Sequence, residues 1–187
     1  MISTNAKAIQ ASFTRQAENF ETKAMSFSKQ EYLEHTVSCA NPKKTDTVLE
    51  VAAGTCVCGR SLAPFVQTVT CLDMTAAMLA VGKDMAEKEG FCNMNFVQGD
   101  AERLPFLDDG FDIVISRLAF HHFANPKRCF SEMARVLKPG GKLVVIDMEA
   151  AEEALRATET KLKPCAIHPI CAISAEMILQ DYLRIII

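Results

Sequence analysis

Three acids, Glu50, Asp73 and Asp100, each stand at or just after the end of a short apolar run, and a glycine-rich turn, Gly54-x-Cys56-x-x-Gly59, lies between the first two. This is close to the pattern of a nucleotide-binding loop. Glycines there let backbone approach the ligand, and an acid about 20 residues on takes ribose hydroxyls. Cys56 replaces the glycine that would face a pyrophosphate, and its side chain is expected to crowd that approach. A nucleoside without phosphates, carrying an amino-acid tail, is therefore the expected ligand. Glu50 is placed to organise the loop amides or an ammonium group. With Asp73 and Asp100 it forms an arc of carboxylates suited to a cationic tail, two ribose hydroxyls and an exocyclic adenine amine, all of them donors. A nicotinamide dinucleotide is the alternative, and it leaves Asp100 without a clear task.

Arg117 and the pair His121-His122 follow the fourth apolar strand, where a second reactant would approach. A guanidinium can orient an anionic carboxylate or phenolate; its alternative is a salt bridge to an N-terminal helix. A histidine there could take a proton from an oxygen, nitrogen or acidic carbon, although adjacent residues need not face the same way and at least one of the two is expected to pack or cap. Met78, at helical spacing from Met74, reads equally as core or as an adenine contact. Eight cysteines in a chain that opens without a secretory pattern read as reduced thiols. Cys56 and Cys58 have no second pair at zinc-ligand spacing, so no metal centre is expected.

The elements that must position these residues alternate. Helical spacing covers 5–20 (Phe13, Ala17, Phe20) and 28–40 (Tyr32, Leu33, Val37). Strands are expected at Thr47–Val51, Thr68–Leu72, Met94–Val97, Phe111–Ser116 and, after "KPGG", Lys142–Asp147. Helices are expected from about Gly59, from Thr75 to Gly90, and after Asn125 as cap with Pro126 in first position. The strands are near-continuous apolar runs, as in a parallel sheet covered on both faces, so the fold class is α/β, doubly wound, with ligands beyond the strands' carboxyl ends. The expected division is a helical lid at 1–42, a core at 43–150, and a helix with an atypical tail at 151–187. Net charge is −3 with scattered basic residues, which argues against nucleic acid as a partner. No apolar run reaches roughly 18 residues, so no membrane span and a cytoplasmic location are expected.

Five segments, "VLEVAAGTC", "CLDMTAAML", "QGDAERLPF", "FDIVISRLAFHHF" and "EMARVLKPGGKLVVID", resemble in order and spacing the motifs of class I S-adenosylmethionine-dependent methyltransferases. The likeness is greatest to the type 11 and ubiquinone/menaquinone-biosynthesis group. It implies a Rossmann-like core of five strands in order 3-2-1-4-5, S-adenosyl-L-methionine as cofactor, and a small-molecule methyl acceptor. It also implies roles. Glu50, Ala52 and Gly54 would contact the methionyl part, Asp73 the ribose, Met74 and Met78 the adenine ring, and Asp100 with the Ala101 amide the adenine edge. Ser116 and Arg117 would adjoin the reactive methyl, with Arg117, His121 and His122 as the catalytic candidates. Phe13, Gln16 and Phe20 would face the pocket from the lid. Ala52, in place of a family glycine, is expected to be benign, and Cys56 to weaken affinity.

The tail "KLKPCAIHPICAIS", 161–174, departs from the family, which continues with a helix. Synonymous codons for it, read one base back, spell the family-like "EIETMRDPSHMRN". A frame shift near Thr160 is the expectation, leaving 161–187 as non-native sequence and a truncated homologue that binds cofactor with impaired catalysis. The sheet would then stop at five strands, with Lys142–Asp147 an open edge that pairs with nothing or with a neighbour. Sequencing the gene across codons 155–175 is expected to return the family-like continuation in the alternative frame.

Overall fold

A computed structural model describes residues 4–17, 20, 30–148 and 167–174. Helices α1 (Thr4–Gln16) and α2 (Gln30–Ala40) precede β1 (Thr47–Val51), α3 (Val57–Leu62), β2 (Thr68–Asp73), α4 (Ala76–Lys88) and β3 (Met94–Gln98). The chain continues through β4 (Phe111–Arg117), α5 (Pro126–Val136), β5 (Leu137–Met148) and β6 (Ile167–Ser174). The sheet order is β3-β2-β1-β4-β5-β6. The first five strands are parallel, with Val48 of β1 opposite both Val69 of β2 and Ile113 of β4.

Side chains alternate across this sheet and build one core on each face. Val48, Val69, Cys71, Ile113 and Ile115 pack with Ala40, Leu62 and Leu79 of the helices on one side. Leu49, Val51, Leu72, Val114 and Leu143 pack with Met133 and Val136 of α5 on the other. Coverage of both faces is why these strands read as unbroken apolar runs. The expected α5 start is present: Asn125 Oδ1 accepts the Arg128 amide at 3.1 Å, and Pro126 occupies the first turn.

Two boundaries differ from expectation. "KPGG" is not a turn before β5 but part of it, with Leu137 opposite Phe111 and a register shift before Ile113. Gly140 takes φ +75°, and a Cβ on Gly141 would stand 2.9 Å from the Asp112 carbonyl oxygen, so the irregularity needs both glycines. The outer edge of β5 is also not open. β6 pairs with it antiparallel, from Met148 opposite Ile167 to Lys142 opposite Ser174. Backbone donors and acceptors on an edge recruit an extended segment, and Pro169, which lacks an N–H, is tolerated in an outermost strand. The rest of the expected tail, including the helix after residue 150, lies outside the described residues.

α2 is fastened to the sheet by Lys142, whose Nζ donates to the carbonyls of Ala40 (3.0 Å) and Asn41 (2.7 Å) at that helix's C-terminal end. Lys142→Met is expected to lower stability by about 1 kcal/mol, because those carbonyls lose a charged donor. Urea denaturation of both proteins checks it.

Candidate functional site

A cavity of about 540 Å³ lies at the carboxyl ends of the strands. The sheet order reverses between β1 and β4, so the loops that leave those strands diverge and open a crevice there. The loops after β1, β2, β3 and β4 form its walls, and Ser12, Phe13 and Gln16 of α1, with Phe20, close it.

The loop after β1 is held in an unusual shape. Ala52, Gly54 and Cys56 alternate in left-handed backbone, with φ of 57°, 54° and 60°. That conformation costs a residue with a Cβ about 1–2 kcal/mol, so Ala52 is strained rather than benign. Cys56 points where the sequence did not suggest. Its side chain is fully buried, its thiol faces the Gly54 carbonyl at 3.6 Å, and its sulfur fills the space against Gly82. Thr55, Val57 and Cys58 line the cavity in its place, so Cys56 does not crowd a ligand. Its thiol therefore gives no ground for preferring one nucleotide ligand to another.

Two carboxylates fix this loop. Glu50, only 3% exposed at the end of β1, accepts the Gly59 amide at 2.8 Å and the Cys71 thiol at 3.5 Å. Cys56 offers α3 no side-chain cap, and Glu50 supplies the acceptor instead. Burial raises the Glu50 pKa to about 7, against the opposing pull of the Gly59 amide, the Cys71 thiol and the positive charge of Arg117. Asp73 accepts the Gly54 amide through Oδ2 and the Thr75 amide through Oδ1, both at 2.8 Å, and so ties the first two loops together. Burial raises its pKa as well, and the two amides oppose that shift.

α1 meets this rim where Gln10 Nε2 donates to the Met74 carbonyl at 2.7 Å. The loop after β3 is gripped by α5. Arg135 donates to the Leu104 and Phe106 carbonyls at 3.1 and 2.9 Å, Glu132 accepts the Leu104 amide at 2.9 Å, and Arg128 Nε donates to the Glu102 carbonyl at 3.0 Å. Asp100 accepts the Glu102 amide at 2.9 Å within that loop.

Of the candidate site residues, Glu50, Ala52, Gly54, Asp73, Met74 and Met78 line the cavity, as do Asp100, Ala101, Arg117, His121 and His122. Met78 is nearly fully buried, as its reading as a core residue requires, and it also borders the cavity. Ser116 does not line the cavity. It is fully buried, and its hydroxyl has no hydrogen-bond partner among the described residues. Neighbours on a strand point to opposite faces, so Ser116 and Arg117 cannot share one task. The sequence reading missed Thr55, Val57, Cys58 and Phe123, which line the cavity, and Asp147, which is not part of the lining but bonds to His121 through both its oxygens. As an acid ending a buried strand it carries the same signature as Asp73.

The donor and acceptor set fits a nucleoside with an amino-acid tail. Each Asp73 oxygen accepts one amide and retains acceptor capacity for hydroxyls, Asp100 offers a further carboxylate, and Thr55 brings a hydroxyl without a partner among the described residues. Among the described residues, no group of three or more His, Cys, Asp or Glu could hold a metal, and no disulfide forms.

Comparison with known proteins agrees. Residues 49–145 match the family model of the methyltransferase domain. The chain is 35% identical over 141 residues to the uncharacterized methyltransferase YcgJ of Bacillus subtilis, covering 75% of this chain and 55% of that one. The crystal structure of YcgJ superposes with a TM-score of 0.64 at 35% identity, covering 68% of this chain and 54% of that one. The ubiquinone/menaquinone biosynthesis C-methyltransferase UbiE of Haemophilus ducreyi is 35% identical over 119 residues, 60% of this chain and 45% of its own. A phosphoethanolamine N-methyltransferase of Haemonchus contortus, solved with S-adenosylhomocysteine, has a TM-score of 0.60 at 25% identity, over 72% of this chain and 34% of that one. The chain thus spans about half the length of the curated relatives it matches.

Two stability outcomes follow from this geometry. Cys56→Gly is expected to be more stable than Cys56→Ala by about 1 kcal/mol, the reverse of the usual order, because both lose the buried sulfur but only glycine relieves the left-handed backbone; urea midpoints decide it. Glu50 is protonated more readily folded than unfolded, so its contribution is full below the ordinary carboxylate range and is lost as pH rises towards about 7. Wild type should therefore lose stability relative to Glu50→Gln across that interval and level off above it, as read by denaturation at successive pH values.

Proposed function

Since the chain belongs to the class I S-adenosylmethionine-dependent methyltransferases, we propose that it binds S-adenosylmethionine in this cavity and transfers the methyl group to a small acceptor. The observation that carries the reading is Asp73. Its carboxylate is fixed by two backbone amides at the junction of two loops and keeps acceptor capacity at the cavity, as a pair of vicinal ribose hydroxyls requires.

Around Asp73 the other residues take complementary positions. Gly54 has open space where a Cβ would stand, which leaves its backbone accessible to the methionyl chain. Glu50 and Arg117 offer opposite charges to the ammonium and carboxylate ends of an amino acid. Asp100 and Ala101, held by the brace from α5, would meet the adenine edge, with Met74 and Met78 beside the ring. When bound, the cofactor supplies a methyl carbon on a positively charged sulfur, open to displacement by a nucleophile. The protein's part is alignment and exclusion of water, for which α1 and Phe20 cover the cavity.

Phe13, Phe20, Phe123 and the two histidines form an apolar chamber beside Arg117 for the acceptor. The named activities of the relatives, C-methylation in quinone biosynthesis and N-methylation of a phosphoethanolamine, differ in acceptor. No helix among the described residues is long and apolar enough to cross a membrane.

Calorimetry is expected to show S-adenosylhomocysteine binding and NAD binding more weakly or not at all; NAD binding the tighter would overturn the reading. Asp73→Ala should weaken S-adenosylhomocysteine binding by about 1–3 kcal/mol, the worth of charge-assisted hydrogen bonds.

A further inference from the structure

Asp147 is the next-to-last residue of β5, beside the turn that carries His121 and His122, and its carboxylate holds that turn by two bonds. Oδ2 accepts the backbone N–H of His121 at 3.1 Å, and Oδ1 lies 2.6 Å from Nδ1 of the His121 ring. An ionised carboxylate offers acceptors only, so the shared proton belongs to Nδ1, and a neutral ring keeps its lone pair on Nε2. The ring lines the cavity. His122 packs against it with ring centres 3.9 Å apart and is braced in turn by Phe13, edge-on at 5.3 Å. Burial, and then the neighbouring His121, lower the His122 pKa, while the Asp147 carboxylate opposes them.

We infer that Asp147 is a positioning residue that fixes His121 in the Nδ1–H form, leaving Nε2 to accept the proton of an acceptor that carries a hydroxyl on an apolar ring. This rests on the methyl-transfer reading above and adds the chemical class of the acceptor. An acceptor with no proton to lose, such as a tertiary amine, gains nothing from the pair, and the phenylalanines of the chamber suit an apolar frame. The acceptor oxygen forms its bond to the methyl carbon as the carbon–sulfur bond breaks. The electron pair of that bond stays on sulfur, giving a neutral thioether, and the hydroxyl proton passes to His121 Nε2. The imidazolium so formed is held by the Asp147 carboxylate, and no other reactant is needed.

Asp147→Asn tests the role, because the backbone N–H of His121 can only donate. It claims the amide oxygen of the asparagine and leaves the NH₂ group to face Nδ1, so the ring must accept there and carry its proton on Nε2. The protonation pattern is read by nitrogen–proton NMR of ¹⁵N-histidine-labelled protein at a pH where the rings are neutral, with S-adenosylhomocysteine added and then 1-naphthol as the hydroxyl probe. His121→Gln assigns the resonances. Wild type is expected to carry its proton on Nδ1 and to shift its Nε2 resonance when 1-naphthol binds. Asp147→Asn should carry the proton on Nε2, lose the naphthol response and keep its affinity for S-adenosylhomocysteine. Turnover of hydroxyl acceptors should fall by roughly 10²–10⁴-fold, the range for a lost general base. The inference is overturned if wild type carries its proton on Nε2, if Asp147→Asn leaves the pattern unchanged, or if 1-naphthol fails to bind or binds without perturbing Nε2. Failure of S-adenosylhomocysteine to bind would instead sink the methyl-transfer reading, while the protonation pattern still decides the role of Asp147.

Discussion

Glu50 keeps a carboxylate almost out of water at the end of the central strand, and the loop above it depends on the hydrogen bond that the Gly59 amide gives it. An unpaired acid at that depth would not hold its charge, and an unpaired amide at the start of α3 would carry its own desolvation penalty. Each group answers the other's need. The arrangement leaves no room at residue 59, where a Cβ would stand 2.6 Å from the Cys71 sulfur and 2.7 Å from Glu50 Oε2. The glycine is fixed by that contact, and α3 is fixed by the glycine. With both ends of the loop set, its three left-handed residues have one way to run.

What Glu50 does beneath the loop, Asp73 does across it. Strands hold their own backbone groups in the ladder, but loops at a strand end have to find partners elsewhere, and here side chains supply them. Asp73 serves the first two loops, Gln10 brings the N-terminal helix to the second, Glu132 and Arg135 serve the third, and Asp147 serves the fourth. Every wall of the cavity is thus pinned by a polar contact from a different element. The binding geometry is a property of the sheet and its helices together rather than of any one motif.

Much of this was legible in the sequence, and the reasons are specific. The strands showed themselves because both faces are buried, and α5 because Asn125 and Pro126 form a local start signal. The rim acids could be found because a charge at the end of an apolar run stands out, and at Glu50 and Asp73 it serves the loop amides. What stayed hidden depended on backbone sign or on distance along the chain. The direction of Cys56 follows from a left-handed φ that no residue type announces, and the same φ makes Ala52 strained. The "KPGG" segment reads as a turn, although its glycines serve an irregular strand. Asp147 lies 26 residues from His121 and gains meaning only when β5 falls beside β4. Ser116 is different: strand alternation alone places it opposite Arg117.

The central pairing of the sheet joins residues far apart in sequence, since Val48 of β1 lies beside Ile113 of β4. The strands between them, β2 and β3, pair on the other side of β1, so the crevice is bounded by a contact that becomes possible only after both of them have been made. Closing so long an excursion is slow compared with forming a helix or a neighbouring strand pair. Until it closes, Glu50 and Asp73 can meet their amides, but the cavity lacks the wall that bears Arg117 and the histidines. The site is therefore a reporter of that one closure. A ligand that requires both walls finds nothing to recognise before it, and it rewards only the chain that has already brought its two halves together.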